Sequence, residues 1–104
     1  MTTVIVVDTA EEQLREIVGW WCVHRPEAPR LVLDEFEGCV ALLESSPDAG
    51  VGFARTSVRG VRRVLLKRTR HFVYYVHDEH RAMVYVIAVW GAPKVGDPRL
   101  HDPR

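Results

Sequence analysis

A histidine set among cations is the arrangement in this sequence best able to do chemistry. His71 follows closely on Arg62, Lys67 and Arg70. Imidazole titrates near neutrality and can move a proton, while neighbouring cations can hold a phosphate in place. The pattern is nevertheless read as a solvated histidine on a basic strand, with no catalytic residue expected and Arg62 with His71 as the alternative catalytic reading. His71, His77 and His80, or Cys22 with His24, match no common metal-ligand spacing, so neither a metal nor any other cofactor is expected. Tyr74, Tyr75, Tyr85 and Trp90 interleave with basic residues as a base-stacking surface would. Strand alternation, however, sends them to different faces and assigns most of them to a core. Arg59, Arg62, Arg63, Lys67, Arg68 and Arg70 are denser than a strand edge requires; they can guard that edge against aggregation and also bind an acidic partner.

These side chains must share one scaffold, because 104 residues with 47% apolar content supply a single core. Residues 1–104 are read as one domain, with 91–104 as an irregular tail. No run of eighteen apolar residues and no secretory leader pattern is found, so a cytoplasmic protein without membrane association is expected. Cys22 and Cys39 fall in helical patterns and are expected to be reduced thiols. The neutral net charge conceals a division. Residues 1–52 carry three arginines against ten carboxylates, a net of −7, and residues 53–104 carry eleven Lys and Arg against four carboxylates, a net of +7. This predicts an acidic helical surface and a basic sheet surface, the latter attractive to acidic protein or nucleic acid. The alternative is that two oppositely charged faces simply solvate one domain.

Residues 4–7 are a short β-branched run that reads as a first strand buried on both faces. Asp8 or Thr9 then caps a helix, with Glu11 or Glu12 completing a capping box, and Leu14, Ile17, Val18 and Trp21 repeat at helical spacing. The segment from His24 to Pro29 breaks this helix. A second helix follows, with Val32, Phe36, Val40 and Leu43 as its apolar stripe, and residues 45–50 end it. Residues 52–58, 61–69, 72–77 and 82–90 read as strands, the last two joined as a hairpin through residues 77–81. The order implies an α+β fold, β-α-α-β-β-β, with a helical hairpin on one face of an antiparallel sheet.

The last strand, residues 82–90, is apolar at every position, whereas a half-exposed antiparallel strand alternates. Two helices joined by a short loop can cover only one face of a sheet. Either a partner covers the other face near Val84, Val86 and Trp90, or the tail from Gly91 folds back over it.

The stretch from Gly60 to Val76, an arginine-led aliphatic strand turning into a Tyr-Tyr strand, is similar to the corresponding segment of ParE-type toxins of the RelE/ParE superfamily. The run Val86 to Ala92 resembles that family's last strand, and the Trp20-Trp21 pair, the His24-Arg25-Pro26 break and the turn from Pro47 to Gly50 match its layout. The resemblance spans essentially the whole chain and implies the same β-α-α-β-β-β fold. It further implies the toxin of a type II toxin–antitoxin pair. RelE-like members are ribosome-dependent messenger ribonucleases that use basic residues on two strands and an arginine and tyrosine near the C-terminus. Laid on this chain, those positions fall on Arg62, Val64, His71 and the segment 92–98, where Lys94 is the basic residue and no tyrosine exists. Of that set only Arg62 is clearly retained. The resemblance therefore favours the ParE branch, which inhibits DNA gyrase by binding, with the ribonuclease as the alternative. It implies a ParD-like or other small DNA-binding antitoxin as partner, gyrase as target, and no direct specific DNA binding by this chain. The expected contact residues are Arg62, Lys67, Arg70, Val84, Val86, Trp90, Lys94 and Arg99.

Overall fold

The chain runs β1 (Thr3–Val6), α1 (Asp8–His24), α2 (Leu31–Ser45), β2 (Val51–Gly52), β3 (Val61–Leu66), β4 (His71–Asp78) and β5 (Met83–Gly91) in a computed structural model that describes residues 1–91 and 96–104. The strands form one sheet in the order β1-β5-β4-β3-β2. All neighbours are antiparallel except β1 and β5, which pair in parallel from Thr3↔Met83 to Val6↔Val86. The α+β architecture with two helices on a mostly antiparallel sheet is the one the sequence implies.

The first core lies between helices and sheet. Phe36, Cys39 and Leu43 of α2 and Ala10 of α1 meet Leu66, Val73, Tyr75, Val84, Val86 and Val89. Cys39 joins the expected α2 stripe, and burial pushes its thiol up to about 11. Cys22 is exposed, and both thiols are free.

A second core covers the opposite face from within the chain. Phe53, Val58 and Leu100 close over Val61, Tyr74, Val76, Ile87 and Ala88. The tail is anchored there: Arg104 donates to the Arg59 carbonyl at 2.7 Å, and Arg55 pairs with Asp97 at 2.9 Å. Exposed ion pairs of this kind contribute little alone, so the seating of Leu100 in the apolar layer does more to hold the tail down. The idea that the far face of the last strand needs a partner is thus corrected: residues 53–58 and the tail cover it.

Three further expectations change. β1 is an edge strand with Thr3 and Ile5 exposed, rather than a strand buried on both faces, because only β5 pairs with it and the helices cover only one of its sides. The expected strand 52–58 shrinks to Val51–Gly52, because Phe53 and Val58 are used to cover the second face. The capping box does not form: Val7 is the N-cap without a side-chain bond, and Glu11 instead reaches Arg15 at 2.9 Å. Asp8 and Glu11 still make the first turn acidic, as the helix dipole favours.

One carboxylate ties the helices to the basic half. Glu35 of α2 accepts hydrogen bonds from the backbone N–H of Arg68 and Thr69, both at 3.0 Å, and from the Thr69 hydroxyl at 2.6 Å. These charge-assisted bonds hold the β3–β4 turn against α2. Glu35→Ala is expected to lower unfolding free energy by roughly 1–3 kcal/mol in denaturant titrations, because it strands partly buried donors. Cys39 gives a pH signature. Its folded pKa lies above the ordinary value of 9.0, so its contribution is complete below pH 9 and is lost as pH rises toward about 11. Melting temperature should fall across that window, and Cys39→Ala should make the fall shallower.

Candidate binding groove

β5 runs past the end of its neighbour, and a groove opens there. β1 stops at Val6↔Val86, so the Val89 N–H would lack a ladder partner; Gln13 of α1 accepts its hydrogen bond at 2.9 Å. The C-terminal half of α1 then forms one wall, with Ile17, Trp20, Trp21 and Arg25. Arg68, Thr69, Arg70, His71 and Trp90 form the other, enclosing about 970 Å³.

The α1 wall is rigid at its base and exposed at its rim. The Trp21 indole N–H donates to the Ala28 carbonyl at 2.7 Å, pinning the end of α1 to the loop that follows. Trp20 is 49% exposed, stacks on His24 with ring centroids 4.3 Å apart, and lies under the Arg25 guanidinium at 5.5 Å. Opposite, the β3–β4 turn is closed by the Arg70 N–H donating to the Leu66 carbonyl at 2.8 Å. Arg70 has φ +64°, a left-handed conformation that glycine adopts more readily. The groove therefore combines three indoles, three guanidiniums and an imidazole with one acidic residue, Glu16. Such a surface suits an anionic partner that also carries apolar or aromatic groups.

The expected site residues divide. Arg70, His71 and Trp90 come together here, with the Trp90 indole N–H reaching the Gly96 carbonyl at 3.3 Å. Arg62 is elsewhere: it lies opposite Tyr75, whereas His71 lies opposite Leu66. Four residue steps along the strand lead from Arg62 to Leu66, roughly 13 Å, so the alternative catalytic pair is not assembled. The Arg62 guanidinium instead donates to the carbonyls of Gly50 at 2.8 Å and Asp48 at 3.3 Å. Val84 and Val86 are removed from the contact set, because both are fully buried under the helices. Lys67 and Arg99 are exposed outside the groove. Lys94 lies outside the described residues.

Sequence reasoning missed Trp20, Arg25 and Arg68 as a unit. The available signal was Trp20-Trp21 followed by His24-Arg25, an aromatic pair with an imidazole and a guanidinium one helical turn later. It also missed a cleft of about 330 Å³ on the opposite face, where the Arg63 guanidinium lies 3.9 Å from the Phe72 ring centre and donates to the Tyr74 hydroxyl at 3.2 Å. There, stacking on aromatics holds the cation in the second core.

The fold defines a class of small toxin-like α+β proteins. The chain has a TM-score of 0.70 to a chromosomal ParDE toxin–antitoxin system from P. aeruginosa, at 18% identity over 88% of this chain and 96% of that one. It has a TM-score of 0.65, at 14% identity, to the E. coli RelBE complex, over 90% of this chain and all of that one. The isolated E. coli RelE toxin matches at the same TM-score and identity, over 90% and 87% of the two chains. No curated protein sequence matches significantly. Residues 4–94 match the family model for the ParE toxin of the parDE type II toxin–antitoxin system, and the chain belongs to that family. Among the described residues, no helix is long and apolar enough to cross a membrane.

The strained turn separates a residue's role in binding from its role in folding. Arg70→Gly relieves the left-handed backbone and removes a groove cation. Thermal unfolding should show stability unchanged or raised by up to about 1 kcal/mol, while affinity for an acidic groove ligand falls.

Proposed function

We propose that this chain is a toxin that acts by binding and occupying an essential target, DNA gyrase, in the cytoplasm, and that a small ParD-like DNA-binding antitoxin neutralises it. The carrying observation is the groove. Its cations sit on a helix end and a turn, exposed and backed by tryptophans, an arrangement suited to docking a partner. Family membership supports the pairing with an antitoxin, since the P. aeruginosa neighbour is a ParDE system and E. coli RelE is found in complex in a RelBE structure. Lys67 and Arg99 would extend the positive field around the groove and speed encounter with an acidic partner.

The separation of Arg62 from His71 supports binding over cleavage. A messenger ribonuclease needs proton-moving and charge-stabilising groups converging on one phosphate, and losing one such group typically costs about a hundred- to a thousandfold in rate. Here Arg62 is bonded to two loop carbonyls at the far end of its strand.

A paired assay tests the reading. Purified chain should inhibit supercoiling of relaxed plasmid by gyrase and leave ribosome-bound messenger intact. Replacing Arg68 and Arg70 together should weaken gyrase inhibition by at least about tenfold. Association with the antitoxin should slow as salt rises. Robust messenger cleavage that disappears in Arg62→Ala and His71→Ala, with supercoiling unaffected, would overturn the proposal in favour of a RelE-like ribonuclease.

A further inference from the structure

A second cluster of side chains lies at the other end of β3 and β4, and the toxin reading makes no use of it. Asp48, in the loop between α2 and β2, meets His77 near the end of β4 and Glu79 in the turn that follows. One ligand-capable atom from each of the three lies within 4.8 Å of the other two. His77 and Glu79 are two residues apart, but Asp48 lies 29 residues before His77, so spacing along the chain does not reveal the three together.

The geometry is close to that of a metal site. His77 Nδ1 and Asp48 Oδ1 are 3.2 Å apart, near the ~3.3 Å that separates two ligands of a tetrahedral ion with bonds of about 2.0 Å. The two halves of the site differ in mobility in a useful way. The His77 side chain is only 15% exposed, and its backbone is held in register opposite Val84. Asp48 and Glu79 are exposed and can close by the distance, up to about 1.5 Å, that separates a 4.8 Å spacing from that of bound ligands. The loop carrying Asp48 is already fixed to the sheet. Arg62 donates to the Asp48 and Gly50 carbonyls, and the Gly50 N–H donates to the Tyr75 hydroxyl at 2.8 Å. A Cβ at Gly50 would lie 2.8 Å from the Tyr75 ring, so only glycine permits this approach. With its guanidinium bonded to these carbonyls, Arg62 keeps its Nε 3.9 Å from Asp48 Oδ1, beyond hydrogen-bond reach.

We propose that Asp48, His77 and Glu79 bind one zinc-class divalent ion, with a fourth position open to solvent. One imidazole nitrogen and two carboxylates, completed by water, suit zinc. Magnesium and calcium call for six or more oxygen ligands and fit this donor set poorly. The ion neutralises two carboxylates and ties the α2–β2 loop to the end of the β4–β5 hairpin. The site shares no residue with the groove, so its failure would leave the toxin reading standing.

The test uses the untagged full chain after chelator treatment, with zinc chloride as the probe. Calorimetry should find one ion per chain bound at this site, and zinc in excess should raise the melting temperature by roughly 5 °C or more, whereas magnesium or calcium at equal concentration does not. Asp48→Asn, His77→Gln and Glu79→Gln should each weaken zinc binding by at least about tenfold. Glu79 lies in an exposed turn, so its variant keeps the test valid if another fails to fold. His80→Gln, at an exposed neighbouring histidine, should bind zinc as the wild type does. The proposal is overturned if zinc has no effect distinct from magnesium, or if Glu79→Gln and His77→Gln retain wild-type affinity. The latter result would mean that Asp48 and His77 form only a hydrogen-bonded pair.

Discussion

The antiparallel ladder between β4 and β5 positions everything else. It joins residues from His71↔Gly91 to Asp78↔Met83, and it contains one irregularity: Tyr74 pairs with Ala88 while Tyr75 pairs with Val86, leaving Ile87 as an extra residue. A bulge of this kind shifts the facing of every later side chain by one position. Val84, Val86 and Val89 therefore all face the helices, although alternation from Val86 would send Val89 the other way. Ile87 and Ala88 face the second core together. Without the extra residue the Val89 side chain would leave the floor beneath α1.

The groove follows from that ladder and from the shortness of β1. Because β1 ends at Val6, opposite Val86, the last part of β5 has no strand beside it; α1 crosses the gap, and Gln13 supplies the missing acceptor. The same crossing carries Trp20, Trp21 and Arg25 beside the β3–β4 turn. Glu35 then holds that turn from α2. The charge division between the two halves of the chain thus has structural consequences. Carboxylates of the acidic half meet the basic half at Glu35 on the turn and at Asp48 beside Arg62 and His77. The remaining cations of the turn, Lys67, Arg68 and Arg70, stay exposed.

Element order and the helical faces were legible because periodicity reports burial directly: Val32, Phe36 and Leu43 form the α2 face as their spacing demands. The hairpin of β4 and β5 was equally plain. Cover for the second face was not, because an apolar strand shows that both its sides are buried without showing what buries them. Phe53 and Leu100 come from segments 47 residues apart, and Phe53 stands in a run whose composition suits a strand as well as a covering loop. Strand parity held but did not say which arginine meets what. Arg62 and Arg63 are adjacent, so they must face opposite ways; the structure bonds Arg62 to the α2–β2 loop and stacks Arg63 on Phe72. No local pattern distinguishes these two arginines, since the difference lies in what each meets across the sheet.

Where the cations sit bears on what they can do. Transition-state stabilisation relies on groups already fixed around the reacting atoms, so that little reorganisation accompanies the reaction. The β3 guanidiniums of Arg62 and Arg63 are each engaged in packing or in bonding a loop. Those of the groove project from a helix end and a turn and remain exposed. Exposed, adaptable cations over tryptophans gain most when a large partner excludes water from them, because burial strengthens both the apolar contact and the charge pairing that it surrounds. On the proposed reading, a surface of this kind does its work by being covered, so its activity would be set by the lifetime of a complex, and any second acidic partner that covers the same tryptophans would compete directly for it.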